Sequence, residues 1–482
     1  MPKIKRLTSI NVHRFGEKLQ VFLFNVGQGD HIMLRFPSGE YGIIDFHYST
    51  NSAIPEPPIL SYFKDLKATL PKNEFDKIVI SFFCISHTDS DHIKGVEETI
   101  RWFYDEGVFI KDFWLGAAEN EAQLKLFLKD KIEEIIKTSS LEEQDAVNTD
   151  AETYKTHLTS FFTYVQKWEK GEFQNKQYVN LQDRKAEYLA EIRSLRMPCS
   201  HPNVKAYNMG PLKDHIKDYI NNMNLNVIKD IIGVQRNDEH IDTNLISHIL
   251  RIKFGQNNLL FGGDTHIDIW ESCLSKFENA EYPFREEQGD CKSRFVKVSH
   301  HGSKNSTSID LWQRILHPKQ PVFLGISAGR HQRWRHPHPD TIHHIRCYRK
   351  DCHIFATNVC GLCMADGTME KEIHAWYDDY IESNNKNIKE QMTEEEKIIA
   401  YEFAQYMPEE SIVKQTEIDK WGLFAYIFEI PEGEQEDITV RVALSKNIQP
   451  EECFYDLHHA KLRKNCIRDK KIKKWRKKGR RR

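Results

Sequence analysis

The chain lacks any apolar run near the roughly 18 residues that a helix needs to cross a bilayer. Its start, Met1 to Gln20, is mixed and basic and holds no continuous apolar segment. No membrane span and no secretory leader are expected, and the sequence predicts a soluble cytoplasmic protein. Cysteine is sparse, ten scattered among 482 residues, which in that setting reads as reduced thiols and not as a disulfide framework. Net charge is also small, −3 overall, but the balance is uneven. From Lys461 to Arg482 there are 14 Lys or Arg and one acid, so the tail carries +13 and the rest of the chain −16. A tail of that sign attracts phosphate backbones, and it equally suits a solvated terminus or a nuclear import signal. Trp475 within it offers a single stacking ring.

What is present centres on Ile80 to Gly95, ISFFCISHTDSDHIKG. A β-branched and aromatic run of this kind predicts a buried strand, and it ends in a cluster of ligand-type side chains. His87-Thr88-Asp89-Ser90-Asp91-His92 packs two imidazoles and two carboxylates into six residues. That is too polar for a core and too short for a helix face, so a metal-binding loop is the economical reading. A solvated acidic loop is the bland alternative. Alternation sends His87, Asp89 and Asp91 to one side, and His92 can close on a second ion. Nitrogen and oxygen ligands suit zinc, manganese or iron, while the absence of thiolate argues against a purely structural zinc.

At this length one large domain with insertions, or two to three domains, is expected. Leu19 to Phe24 reads as a strand, followed by NVGQGD (Asn25 to Asp30), a strand at Ile32 to Phe36, and another at Tyr41 to Asp45 that ends on a carboxylate. Ser61 to Leu70 predicts a helix, Lys77 to Ser86 the strand that delivers the metal loop, and Phe109 to Leu115 a further strand. From about 117 to 195 the pattern is amphipathic and helical without ligand clusters, an insertion or a partner-binding element. Strand character resumes at His201 to Pro211, with a helix at Leu212 to Met223 and a strand from Asn244 to Ile252. A hairpin then leads into Leu259 to Phe261, which ends at Gly262-Gly263-Asp264-Thr265-His266. An aspartate so placed can bridge two cations. Phe295 to Ser299 leads into His300-His301-Gly302-Ser303-Lys304-Asn305-Ser306, a phosphate-facing loop by composition. Val322 to Ser327 precedes Gly329-Arg330 and His336-Pro337-His338-Pro339, whose prolines fix the backbone around each imidazole. Cys347, Cys352, Cys360 and Cys363 admit a structural zinc, but their spacing is irregular and Ile354 to Thr357 reads as a core strand. Glu370 to Tyr377 predicts a last sheet strand and Ser383 to Lys397 a polar linker.

Taken together, NVGQGD, the strand ending in Asp45, HTDSDH, NLIS followed by LLFGGDTH, SHHGSKNSTS and GRHQRWRHPHPD resemble the metallo-β-lactamase fold. Within it they resemble the hydrolase domain of ComEC-type DNA-uptake proteins, in the same order and over roughly Leu19 to Gly367. The resemblance implies an α/β (α+β) class, specifically an αββα sandwich with two divalent metal ions, zinc or manganese, at the sheet edges. It divides the chain into 1–116 and 196–380 as two halves of that domain, 117–195 as a helical insertion, 381–460 as a small acidic α+β extension and 461–482 as the basic tail.

Carried over by motif, His87 and Asp89 would hold one metal and Asp91 and His92 the other, with Asp264 bridging. His301 would complete the second site, with His300 the less favoured neighbour, and Asn244 would stand where the superfamily has a third-motif histidine. Asp45 and Asp30 would be supporting residues. Three departures stand out: Asp89 replaces the superfamily's usual histidine, which hardens the site toward manganese; Asn25 replaces the first Asp of DVGQGD; and no channel domain accompanies the hydrolase. The implied chemistry is phosphodiester cleavage, foremost as a nuclease on DNA. Asp91 or Asp264 would take the proton of the attacking water, Ser303, Lys304 and Ser306 would hold phosphate oxygens, and His336 or His338 would protonate the leaving oxygen. The rivals are a small-molecule phosphodiesterase or esterase of the same fold and a non-catalytic platform that binds a protein partner through the insertion or the C-terminal extension.

Overall fold

Period-two alternation sorts the side chains of the strands between separate cores, and this sorting fixes the architecture. The computed structural model describes residues 5–6, 17–48, 56–115, 161, 163–165, 167–168, 187–188, 192–195, 197–219, 221, 243–278, 291–328, 336–349, 352–357, 423–444 and 451–455. Most of the expected insertion, the Glu370 to Tyr377 strand, the 383–397 linker, Gly329-Arg330, Cys360, Cys363 and the basic tail lie outside the described residues.

The first sheet begins with β1 (Lys5–Arg6), β2 (Leu19–Phe24), β3 (Ile32–Arg35), β4 (Tyr41–Ile44), β5 (Val79–Ile85), β6 (Phe109–Leu115) and β7 (Glu187–Tyr188). The second holds β8 (Arg193–Leu195), β9 (Val204–Gly210), β10 (Ile249–Phe254), β11 (Asn257–Phe261), β12 (Phe295–Lys297), β13 (Phe323–Ile326) and β14 (His353–Ala356). The chain then returns to the first sheet with β15 (Leu423–Ile430), β16 (Thr439–Leu444) and β17 (Glu451–Tyr455). Spatial order is β1-β17-β16-β15-β2-β3-β4-β5-β6-β7 in one sheet and β14-β13-β12-β11-β10-β9-β8 in the other. Both sheets are mixed. β4, β5 and β6 run parallel, as do β11 to β14, while β2, β3 and β4 and the β9, β10 and β11 group are antiparallel.

Along β2, Leu19, Val21 and Leu23 face a core shared with Leu250, Ile252, Phe261, Phe295 and Phe355 of the second sheet. Phe22 and Phe24, on the alternate face, join the helices α1 (Pro58–Thr69), α2 (Lys72–Phe75), α3 (Ser90–Ile93) and α4 (Val96–Asp105). In α4, Val96, Ile100 and Phe103 supply the apolar stripe at helical spacing. The outer face of the second sheet carries Leu260, Val296, Leu324 and Ile354 against α5 (Ile267–Glu278), α6 (Ile309–Ile315) and α7 (Pro339–Tyr348). The layers are therefore helix, sheet, sheet, helix, a mixed α/β sandwich as expected. Among the described residues no helix is long and apolar enough to cross a membrane.

Three expectations change in detail. Asn244 does not begin a strand: Thr243–Ile246 is a 3-10 turn and β10 starts at Ile249. The turn presents Thr243, whose hydroxyl donates to Asp89 Oδ1 at 2.5 Å, which an extended strand in this place would not do. Residues 423–444, within the span expected as a C-terminal extension, form β15 and β16. Tyr426 and Phe428 enter the core between the sheets, and Phe428 lies 4.8 Å from Phe295, ring centre to ring centre. Part of the expected insertion also packs on the first sheet. Trp168 is buried and its indole donates to the carbonyl of Ile110 at 2.8 Å.

Candidate metal centre

Parallel strands place their carboxyl ends on one edge, and the polar motifs follow those ends. Asp45 follows β4, His87 to His92 follow β5, Asp264 follows β11, and His300 and His301 follow β12. Bringing these loops together demands close backbone approach. At Gly29, φ is +145°, and a Cβ would lie 2.4 Å from His47 Cγ and 2.7 Å from the Asp91 carbonyl. At Gly263, φ is +49°, and a Cβ would meet Ser247 Oγ at 2.3 Å. Backbone bonds lock the result: Asp30 N–H donates to the Asp91 carbonyl (2.9 Å), Phe46 N–H to that of His92 (2.7 Å), and His300 N–H to that of Gly263 (2.9 Å).

Asp91, His92, Asp264 and His301 each turn a ligand atom toward a common point, all within 4.8 Å of one another. His301 Nε2 is 3.1 Å from Asp91 Oδ2 and 3.4 Å from Asp264 Oδ2, and His92 Nε2 is 3.3 Å from Asp264 Oδ1. The opposite ring nitrogens are tied down. His301 Nδ1 donates to the Ser327 carbonyl at 2.8 Å, and His92 Nδ1 donates to Asp45 Oδ2 at 2.9 Å. Asp45 is in turn fixed by the Ser86 N–H (2.6 Å) and hydroxyl (2.7 Å). Because the Ser86 hydroxyl proton goes to Asp45, its oxygen accepts from His87 Nδ1 at 3.1 Å. That turns Nε2 of all three histidines toward the cluster, the nitrogen that each neutral ring would offer a metal.

Burial gives the fit a direct test. His87 Nε2, His92 Nε2 and Asp264 Oδ1 are buried without a hydrogen-bond partner. Polar atoms so placed are costly unless something else engages them. An N/O donor set of this kind suits a borderline or hard divalent cation. Electrostatics agree. Burial opposes charge on His301 and His92, yet Asp264 and its neighbours outweigh it, pushing His301 up to about 10 and His92 well above its ordinary value. For Asp264, burial favours the neutral form but His301 and His92 hold the carboxyl well below the usual range. The cluster therefore gathers positive charge, whether as protons or as a cation.

The remaining predicted residues are distributed around this group. His87 lies beside His92, ring centres 4.1 Å apart, and its Nε2 is 3.8 Å from Asp89 Oδ2. Asn244 sits on the turn next to Thr243. His300 reaches Asp264 Oδ2 at 3.9 Å and stacks on His266 at 5.4 Å. His336 stands 5.7 Å from the His300 ring and 6.1 Å from that of His301; burial, then the charge of His301, depress it to about 3. His338 caps α7, accepting from Asp340 N–H at 3.2 Å. Ser303 is buried and Lys304 exposed, whereas the Ser306 hydroxyl donates to the carbonyls of Ser299 and Ser303 and so braces its own loop. Sequence reasoning passed over Lys297, which is buried and ion-paired with Asp30, and Ser247, whose hydroxyl accepts from Asp264 N–H at 2.8 Å. A lysine between valines at the end of a buried strand was the available signal for the first, and for Ser247 its place at the end of the NLIS motif.

No family model matches the chain. Over 110 residues it is 30% identical to ComE operon protein 3 of Bacillus subtilis (strain 168), a match covering 22% of this chain and 12% of that protein. The chain thus spans a small part of that relative's length, and the likeness is partial.

Proposed function

We propose that the chain is a metal-dependent hydrolase of phosphodiester bonds, a nuclease acting on DNA with two divalent cations, zinc or manganese. The observation that carries this reading is the convergence of Asp91, His92, Asp264 and His301, with His87 Nε2, His92 Nε2 and Asp264 Oδ1 buried without a hydrogen bond. The partial likeness to ComE operon protein 3 and the order of the motifs point the same way. Asp30, Asp45, Asp89, Asp91 and Asp264 bring five carboxylates and Lys297 one ammonium, leaving a fixed charge of minus four that two divalent cations balance.

His87 and Asp89 would hold one cation and Asp91, His92 and His301 the other, with Asp264 between them. Bound there, the cations would act as Lewis acids toward the phosphoryl group and lower the pKa of water. Asp91, more exposed than Asp264, would receive the proton of an attacking water. His336, held neutral, would offer a hydrogen bond, and His338 would protonate the leaving oxygen. Lys304 on its exposed loop, with Ser303, would meet the phosphate, and the basic 461–482 tail would add sequence-independent attraction. Action in the cytoplasm is part of this reading, and Cys84, Cys199, Cys273, Cys291, Cys347 and Cys352 are free thiols.

The test is incubation of the purified protein with single- and double-stranded DNA, RNA and a generic phosphodiester, with manganese, zinc or chelator. Cleavage of DNA that chelator and Asp264→Ala both abolish is expected. Metal-loaded protein that cleaves none of these substrates refutes the reading. Cleavage of the generic ester alone, unaffected by loss of the tail, reassigns the substrate to a small molecule.

A further inference from the structure

The carboxylates and imidazoles form two groups, not one. The outer is Asp91, His92, Asp264 and His301; the inner is Asp30, Asp45 and His92, all three fully buried. We infer that Lys297 is a positioning residue of the metal centre, a built-in cation that fills the inner pocket and thereby confines divalent cations to the outer one. This rests on the reading that the outer group holds metal.

Lys297 ends β12 and is 1% exposed. Its ammonium donates to Asp30 Oδ2 and lies 3.4 Å from the carbonyl of Gly263, the residue before Asp264. Asp30 extends the contact. Its N–H holds the Asp91 carbonyl at 2.9 Å, and its Oδ1, otherwise without a hydrogen bond, is 3.6 Å from His301 Nδ1. One ion pair therefore touches all three loops that carry the outer ligands. Two buried carboxylates as close to His92 as Asp30 (4.0 Å) and Asp45 (2.9 Å) are untenable without a compensating charge. A lysine supplies that charge without being a ligand: an ammonium offers three donors and no lone pair. It cannot be exchanged or chelated away, so the inner pocket stays closed to metal while the outer one loads and unloads.

The experiment uses the full chain as wild type, Lys297→Met, Lys297→Arg and the doubly neutral Asp30→Asn/Lys297→Met. Bound manganese per chain is measured after equilibrium dialysis, with circular dichroism recorded with and without metal. Lys297→Met should bind about one further cation than wild type, because a buried anionic pocket left without its counter-charge recruits one. Lys297→Arg and the double variant should return to the wild-type number. If Lys297→Met unfolds without metal, refolding on added manganese together with a metal-independent fold of the double variant supports the same conclusion. A folded Lys297→Met with wild-type stoichiometry overturns it, as does a variant that neither manganese nor removal of the Asp30 charge restores. Wild type that binds no metal defeats the reading of the outer group itself, a distinct result.

Discussion

His92 Nδ1 lies 2.9 Å from Asp45 Oδ2, 47 residues away in sequence, and this contact aims the other nitrogen of the ring at Asp264. A carboxylate that accepts the Nδ1 proton fixes the tautomer and the ring angle at once. Asp45 itself is held with φ at +55°, outside the usual range for a non-glycine residue, by two bonds from Ser86.

Replacing Asp45 by Asn should therefore weaken metal binding without touching a proposed ligand. The amide NH2 would face donors where the carboxylate accepted them. A loss of about 10- to 100-fold in metal affinity is expected, read by competition with a chromophoric chelator. Unchanged affinity would separate Asp45 from the metal centre.

The metal-free protein should lose stability as pH falls below neutrality. Burial keeps His31, His47 and His248 neutral, pushing them down to about 3, about 4 and about 4. In the unfolded chain each titrates near 6.5. Between those values the unfolded chain binds more protons, so stability rises with pH across the window and falls as acid is added, by about 2 kcal/mol per histidine at pH 5. His92 and His301, with raised values, contribute a stability that is fully present below about 6.5 and is lost only as pH rises, so they do not offset the loss below that pH. A urea midpoint at pH 5 equal to or above that at pH 7 would contradict this.

Gly29→Ala should damage both fold and site. Its Cβ would overlap His47 and the Asp91 carbonyl at 2.4 and 2.7 Å, and the backbone there has positive φ. Overpacking of this kind costs about 1–3 kcal/mol. Because the clash displaces the Asp91 loop, thermal denaturation should show a lower midpoint and a smaller shift on added manganese. Wild-type behaviour in both would show that the loop yields freely.

Phe428→Ala tests whether the C-terminal strands belong to the sandwich. The ring is fully buried, 4.8 Å from Phe295 and 5.3 Å from Phe355, both in the second sheet. Its removal should cost about 3–5 kcal/mol in global unfolding. A loss confined to a separate, earlier transition would instead make β15 and β16 an independent unit.

The strand-end clusters were legible in the sequence because ligand chemistry is local. Six residues, His87 to His92, declare a site by composition alone, and the apolar runs LQVFLF and LLF declare buried strands. Layer order came from the family resemblance that the motifs carry in succession. What the chain could not state locally is which groups meet across it. Asp91 and His301 are 210 residues apart and lie 3.1 Å from each other only because two sheets stack with their parallel strand ends on one edge. The pairing of β15 with β2, and the burial of Lys297 against Asp30 across 267 residues, have the same origin. Side-chain type and period are written residue by residue, whereas register, burial and the free nitrogen of each imidazole are properties of contacts, and those exist only once the chain has closed on itself.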